Sequence, residues 1–301
     1  MLRQAENRIK LEGILSETDL KYGSFVKNGD TVESIGGSIK VLVEQTVNGN
    51  PVTLEVPVHM FSTKYTRAGK INPAYESIER VMNEFVSIAS CGSKENADRV
   101  RITGAEMRVN EFYGQGGTLI STPRVNTSFV SRAIGEFKPE ASFVMEFMVS
   151  DINRVVDADG AEVSPAKLAV DVIVPQYGGR VDTLKLYATS PNVINAIENY
   201  WEAGQCYKAS GRLNFSSTTR TVREEVDFGE PIECVQTISV SEFIITGGSQ
   251  VPLDEELAFS VNDIKTAMAE RKNRLEELKA RGSAKQTPAQ NTSKGKLDLG
   301  F

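Results

Sequence analysis

The sequence predicts a mainly β protein: two small five-stranded barrels in tandem, each carrying one helix, followed by a charged helix and a polar tail. Three observations lead there. Apolar and polar residues alternate with period two over many short runs, turn-forming Gly, Asn and Pro punctuate those runs, and an order of three strands, one helix and two strands occurs twice. At 301 residues and 40% hydrophobic, the chain is long enough for two cores. The boundaries that follow are 1–136 for the first barrel, 137–247 for the second, 248–282 for a linker and helix, and 283–301 for a tail.

In the first half, NRIKLEGILS at 7–16 reads as a half-buried strand that breaks at Gly13, and Tyr22 to Gly37 as an exposed loop rich in Gly, Asn and Asp. SIKVLVEQTV and PVTLEVPVHM flank Asn48-Gly49-Asn50, a hairpin signal. From Pro73 to Ala89, Tyr75, Ile78, Met82, Phe85 and Val86 recur at helical spacing, with Asn72 as cap and Pro73 at the first position. Two more strands, Arg99–Tyr113 and Thr118–Arg132, meet at the glycine-rich tip 114–117.

The second half repeats this order. Strands are expected at Ser142–Asn153, Lys167–Val174 and Arg180–Tyr187, a helix from Ser190 that ends before Gly204, and closing strands at 206–217 and 232–246 around a loop at 218–230. Five strands with a helix between the third and fourth are the order of the OB-fold, and closure removes the exposed edges so many strands would present. Beyond the second barrel, Ile264, Met268, Leu275 and Leu278 lie on one stripe of a charged helix that Ser260 caps and Gly282 stops. The last segment is too polar to bury a core and should stay disordered until bound.

Composition narrows function. With 34 Lys+Arg against 40 Asp+Glu, the chain is not a protein coated in positive charge, although a local basic groove is compatible with the total. Cys91, Cys206 and Cys234 are far apart with no CxxC pair, and read as reduced structural thiols. One histidine, His59, cannot build a zinc site or a His-dependent triad, and it reads as an ordinary strand residue. No phosphate-binding GxxxxGK[ST] loop, HExxH or GxSxG occurs, and Asp157-Ala158-Asp159-Gly160 reads as a turn because Ala161, Val163 and Pro165 bring no side-chain oxygens for calcium. The expectation is a soluble, cytoplasmic, non-enzymatic binder with no metal or cofactor and no membrane span.

Asn7, Ile9, Leu11, Gly13 and Leu15 in the opening strand, with Tyr200, Gly204, Tyr207, Gly211, Arg212 and Leu213 and the closing SVSEFIIT in the second half, give a pattern that resembles the bacterial and phage single-stranded DNA-binding proteins, with a two-barrel phage form as the nearer comparison. The resemblance implies a protein that coats single-stranded DNA in replication, recombination and repair. It also implies that the tail recruits partner enzymes. Family tails end in Pro-Phe after several acidic residues; this one, Leu297-Asp298-Leu299-Gly300-Phe301, keeps the terminal Phe but has a single Asp, with Lys294 and Lys296 before it. Leu297, Asp298, Leu299 and Phe301 are therefore the candidate partner-binding residues.

Single-strand binding without sequence preference needs aromatic faces for bases and cations for phosphates. In the first half the candidates are Tyr22, Phe25, Lys64, Tyr65, Arg67, Lys70, Arg108, Phe112, Tyr113 and Arg124, with the polar segment KYTRAGK at 64–70 the strongest. In the second they are Arg154, Tyr177, Arg180, Lys185, Tyr187, Lys208, Arg212, Phe215, Arg220 and Arg223, while Trp201 reads as a packing residue. A structural scaffold of a virus-like particle, with such residues scattered, or an RNA binder on the same barrels, are the alternatives. Two roles stay open for the charged helix from Ser260 to Arg281: docking back on a barrel, or self-association with a second copy.

Overall fold

The computed structural model describes residues 2–114, 117–224 and 232–284, with backbone alone at 217–224, 232–239 and 281–284. The tail beyond 284 lies outside them. Three antiparallel strands open the chain: β1 (Asn7–Lys27), β2 (Asp30–Val47) and β3 (Asn50–Thr63). Their turns place Asn28 at φ 52° with Gly29 at 91°, and Asn48 at φ 51° with Gly49 at 81°. Two left-handed residues in succession make the tight turn whose twist matches paired strands.

The segment from Tyr22 to Gly37 is therefore not a loop. It is a hairpin arm, paired from Tyr22↔Ile35 to Lys27↔Asp30. It reads as a loop because the arm projects past the core, so its side chains from Lys21 to Lys27 are exposed and carry no buried alternation. Nor does the opening strand break at Gly13. It runs through, because a Cβ there would lie 2.4 Å from Leu42 O, and only glycine lets β1 pass its neighbour so closely.

Helix α1 (Pro73–Glu84) starts where expected, with Asn72 Oδ1 accepting from Ala74 N–H at 3.1 Å. It ends earlier than its periodicity suggests. Phe85 is extended, and the Ser87 and Ser90 side chains form a capping box that restarts the chain as α2 (Ile88–Cys91). Then come β4 (Arg99–Tyr113), β5 (Leu119–Asn126) and the two-residue β6 (Ser131–Arg132), so the expected strand to Arg132 is split. β4 pairs with β5 and returns to β1 through Leu11↔Ile102, while β5 runs parallel to β3 at Val58↔Val125. Hydrogen-bonded pairing thus passes β1–β2–β3–β5–β4 and back to β1.

The second half follows the same circuit. It contains β7 (Glu140–Arg154), β8 (Leu168–Pro175), β9 (Val181–Ala188), α3 (Pro191–Tyr200), β10 (Cys206–Glu224) and β11 (Ile232–Gly248). Pairing passes β7–β8–β9, then parallel to β11 at Tyr187↔Ile244, then β10 and back to β7. The expected loop at 218–230 is strand as far as Glu224, where Thr218↔Ile238 to Glu224↔Ile232 continue the ladder through β-branched residues. β1 also pairs with β7 from Asn7↔Met145 to Glu12↔Glu140, so the two circuits share a seam and all strands belong to one eleven-stranded sheet.

The residues that carry the family resemblance are structural. Asn7 is buried, donating from Nδ2 to Met107 O (2.7 Å) and accepting at Oδ1 from Met107 N–H (3.0 Å). Gly211 repeats the role of Gly13, since a Cβ would lie 2.1 Å from Ile244 O and 2.6 Å from the Phe143 ring. Tyr207, fully buried, donates its hydroxyl to Tyr200 O (3.0 Å) and closes the end of α3. Trp201 is buried as expected, stacked on Tyr207 with ring centroids 5.0 Å apart, its Nε1–H donating to Ser249 O at 2.7 Å.

Helix α4 (Val261–Ala284) begins after Ser260, whose hydroxyl accepts from Asp263 N–H, and continues through Gly282, which does not stop it. Ile264, Ala267 and Leu275 are buried. The helix lies across the seam: Arg271 hydrogen-bonds Glu111 of β4 and, at 2.9 Å, Thr183 of β9. No helix among the described residues is long and apolar enough to cross a membrane.

Candidate nucleic-acid interface

β3 alternates cleanly. Leu54, Val56, Val58 and Met60 point into the core, so His59 and Phe61 point out. Phe61 is more than half exposed and lies 6.4 Å from the ring of Phe25 on the β1–β2 arm. Beside β3, the β4–β5 pair places Arg108 directly opposite Arg124, with Glu106 opposite Asn126 in the next pair on the same face. Two like charges in register oppose each other. Glu106 relieves only one of them: its carboxylate accepts from Arg108 Nη2 at 2.7 Å, whereas Arg124 makes no ion pair or hydrogen bond among the described residues.

Beyond β5 the chain turns at Thr127, whose hydroxyl accepts from Phe129 N–H (3.2 Å) and holds Phe129 out in solvent. His59, Phe61, Arg108, Arg124, Asn126 and Phe129 thus line one open cleft of about 720 Å³. The His59 imidazole is held below its ordinary value, first by burial and then by the charge of Arg124, so it stays neutral and adds no cation there. The cleft combines unneutralised cationic charge with two exposed aromatic rings. That combination suits a flexible polyanion carrying flat rings.

Of the residues the sequence singles out, Arg108 and Arg124 line this cleft and Phe25 lies outside it, its ring 6.4 Å from that of Phe61; Phe61 and Phe129 are not among them. Phe61 was legible, since it breaks the apolar-in alternation of PVTLEVPVHMFST; Phe129 had no such signal. Other candidates lie elsewhere. Tyr22 sits against α1, its ring 6.5 Å from Tyr75 and its hydroxyl donating to Glu79 at 2.9 Å. KYTRAGK folds as a separate turn, with Thr66 N–H donating to Lys70 O, and none of Lys64, Tyr65, Arg67 or Lys70 lines the cleft. Lys64 is bonded to Glu33 (2.9 Å), while Tyr65, Arg67 and Lys70 are exposed. Phe112 and Tyr113 sit at the β4–β5 tip opposite Ile120 and Leu119.

In the second half, Arg154 is held by Glu198 (2.7 Å) and Glu162 (2.9 Å), and Lys185 lies 3.5 Å from Asp171. Lys208 is bonded to Glu6 (2.5 Å), Tyr187 lies under Lys167, and Phe215 is buried. Arg212 is half-buried on β10. Tyr177 is 78% exposed, in a short helical turn with Arg180 exposed beside it. The side chains of Arg220 and Arg223, and all of Leu297, Asp298, Leu299 and Phe301, lie outside the described residues. Asp157 forms the expected turn, its Oδ1 accepting from Asp159 and Ala161 N–H groups at 3.0 Å. Among the described residues no three His, Cys, Asp or Glu side chains gather to hold a metal ion.

Fold and site together define a mainly β chain, closed by two pairing circuits, with an open cation–aromatic cleft on the first. The chain belongs to the YorF family, whose pattern matches residues 5–281. No curated protein matches it in sequence. Among solved structures it is similar to a deletion mutant of the single-stranded DNA-binding protein from Thermus aquaticus, at 12% identity over 84% of this chain and 97% of that one, with a TM-score of 0.48. It is also similar to a chain of the replication protein A heterotrimer bound to single-stranded DNA, at 8% identity over 79% of this chain and 49% of that one, with a TM-score of 0.21.

Proposed function

We propose that this protein binds single-stranded DNA with little sequence preference, through the cleft on its first half, and that its two circuits are tandem OB-fold barrels sharing a seam. The observation that carries the reading is the in-register pair Arg108 and Arg124 between two exposed phenylalanines. Phosphates would relieve the repulsion between the arginines, and bases would stack on Phe61 and Phe129, whose faces accept any base. The protein acts as a binder and not as a catalyst, coating strands exposed during replication or recombination. The tail with Leu297, Asp298, Leu299 and Phe301 would recruit partner enzymes by peptide docking.

The test is fluorescence anisotropy with labelled oligo-dT and a matched duplex, at low and moderate salt, on the full chain and on Arg124→Glu. Tight, salt-sensitive binding to the single strand alone, weakened at least tenfold by the substitution, is the expected outcome. Absence of single-strand binding at low salt overturns the reading.

A further inference from the structure

A second pocket, of about 260 Å³, opens where the two circuits meet under α4. It adjoins the first cleft, because Arg108 lines both. Arg180, from the turn before β9, and Arg274, from α4, enter it from separate elements, and neither has an ion pair or hydrogen bond through its side chain among the described residues. Two acids also line it: Glu111 is bonded to Arg271, whereas Asp182 accepts from Val109 N–H at 3.2 Å and has no ion pair among the described residues, so Arg180 and Arg274 exceed one unpaired carboxylate.

One polar atom in this pocket is unsatisfied. Gln176 is 1% exposed and its place is fixed on both sides, by its backbone N–H donating to Arg180 O (2.7 Å) and by Nε2 donating to Met107 O (3.4 Å). Its Oε1 is buried and has no donor. Turning the amide over would not help, because it would set the amide oxygen against Met107 O, itself an acceptor. Buried acceptors are rarely left so, and each such atom calls for a partner. What the pocket lacks is an anion for two arginines and a hydrogen-bond donor for one carbonyl oxygen.

Resting on the function proposed above, we infer that the single strand crossing the first cleft continues past Arg108 into this junction pocket. Arg180 and Arg274 hold a phosphate there, and Gln176 Oε1 accepts a hydrogen bond from a base edge. Every base carries an N–H donor on its pairing edge, so the contact leaves binding tolerant of sequence. Helix α4 thereby becomes part of the binding surface, and the path is longer than the first cleft alone.

Anisotropy titrations with oligo-dT of increasing length, at several salt concentrations, test this on the full chain and on Arg180→Ala/Arg274→Ala and Arg180→Glu/Arg274→Glu. Thermal melting should match the unsubstituted protein, since neither arginine has a partner to lose. The unsubstituted protein should gain affinity in two steps as length grows. Both variants should keep the first step and lose the second, with the salt slope on the longest oligonucleotide reduced by about one, for the one phosphate contact removed. Length curves that superpose on those of the unsubstituted protein overturn the path, as does an equal loss on the shortest oligonucleotides, which would place both arginines in the first cleft. If the unsubstituted protein itself binds no length of single strand, the first-cleft reading has failed and the path falls with it.

Discussion

The two halves of this molecule repeat one order of strands, and the open clefts they carry differ in how the cations are paired. In the first half, Arg108 faces Arg124 across β4–β5, one carboxylate serves the pair, and Phe25, Phe61 and Phe129 stand in solvent around them. In the second half, Arg154 is shared by Glu162 and Glu198, Lys185 faces Asp171, and Lys167 is bonded to Glu242 above the ring of Tyr187. An internal carboxylate competes with an incoming phosphate for the same cation, so equal numbers of arginines and lysines need not mean equal affinity for a polyanion. The repeated architecture supplies positions for a binding surface. On the proposed reading, the cleft that binds is the one whose cations are left unpaired.

The most damaging change expected under this comparison is Phe61→Ala with Phe129→Ala. Each lost stacking platform is worth about 1–3 kcal/mol, so affinity for oligo-dT should fall by roughly thirtyfold or more, read by anisotropy, while melting changes little because both rings are mostly in solvent. Removing Tyr187 and Tyr177 together should cost far less. If the two pairs matter equally, the halves are equivalent and the charge comparison has no consequence.

Next in size are effects that should be alike in both halves. Gly13→Ala and Gly211→Ala each push a Cβ to within 2.4 and 2.1 Å of a carbonyl oxygen, Leu42 O and Ile244 O respectively. Overpacking against backbone cannot relax by a rotamer change, and each substitution should destabilise the fold by roughly 3 kcal/mol in denaturant melts. A large effect in one half alone would mean that the two crossings are not equivalent.

These glycines also show what was legible in the sequence. Both belong to the family resemblance, but alternation alone reads Gly13 as a strand break, whereas element order, the cap at Asn72 and the hairpin at Asn48-Gly49 can all be read locally. The arm from Tyr22 to Gly37 reads as a loop although Asn28-Gly29 carries the same turn signal, because a hairpin that leaves the core buries neither face and shows no alternation. The cleft was only half legible. Arg108 and Arg124 are sixteen places apart in sequence, and only the pairing register sets them face to face. KYTRAGK was the strongest local pattern, yet it folds on itself away from the cleft, since local clustering of cations and rings says nothing about which face they share.

Arg124→Ala should lower oligo-dT affinity by about tenfold and reduce the salt slope by about one, the signature of a single phosphate contact. It should also be visible at His59, the one histidine of the chain, whose titration can be followed unambiguously by NMR. Burial and Arg124 hold that imidazole below its ordinary value of about 6.5, so the unfolded chain binds the proton more readily than the folded one. Stability should therefore rise with pH across the window between the depressed folded value and about 6.5, and fall as pH drops through it. Removing Arg124 should move the His59 midpoint partway upward, burial being the larger cause and remaining in place. A bound oligonucleotide, by neutralising Arg124, should move it the same way. An unchanged midpoint on saturation would place the strand away from this cleft.

The smallest expected effect is the most discriminating. Lys185 lies on β9 above an open cleft of about 540 Å³ that it shares with Asp151, Asp171 and Tyr187. By cation and aromatic content alone, this cleft looks like a second copy of the proposed site. A phosphate entering it would meet two carboxylates and a lysine already 3.5 Å from one of them, so the gain from Lys185 would be offset by displacing Asp171 and approaching Asp151. Lys185→Ala should accordingly change oligo-dT affinity by less than about twofold and leave the salt slope where it was, because no counterion-releasing contact is removed. Asp171→Asn, which frees the lysine, should raise affinity modestly and steepen that slope. Should Lys185→Ala instead cost as much as Arg124→Ala, the intramolecular pairs would have to open when DNA arrives, and both halves would bind despite their different resting charge.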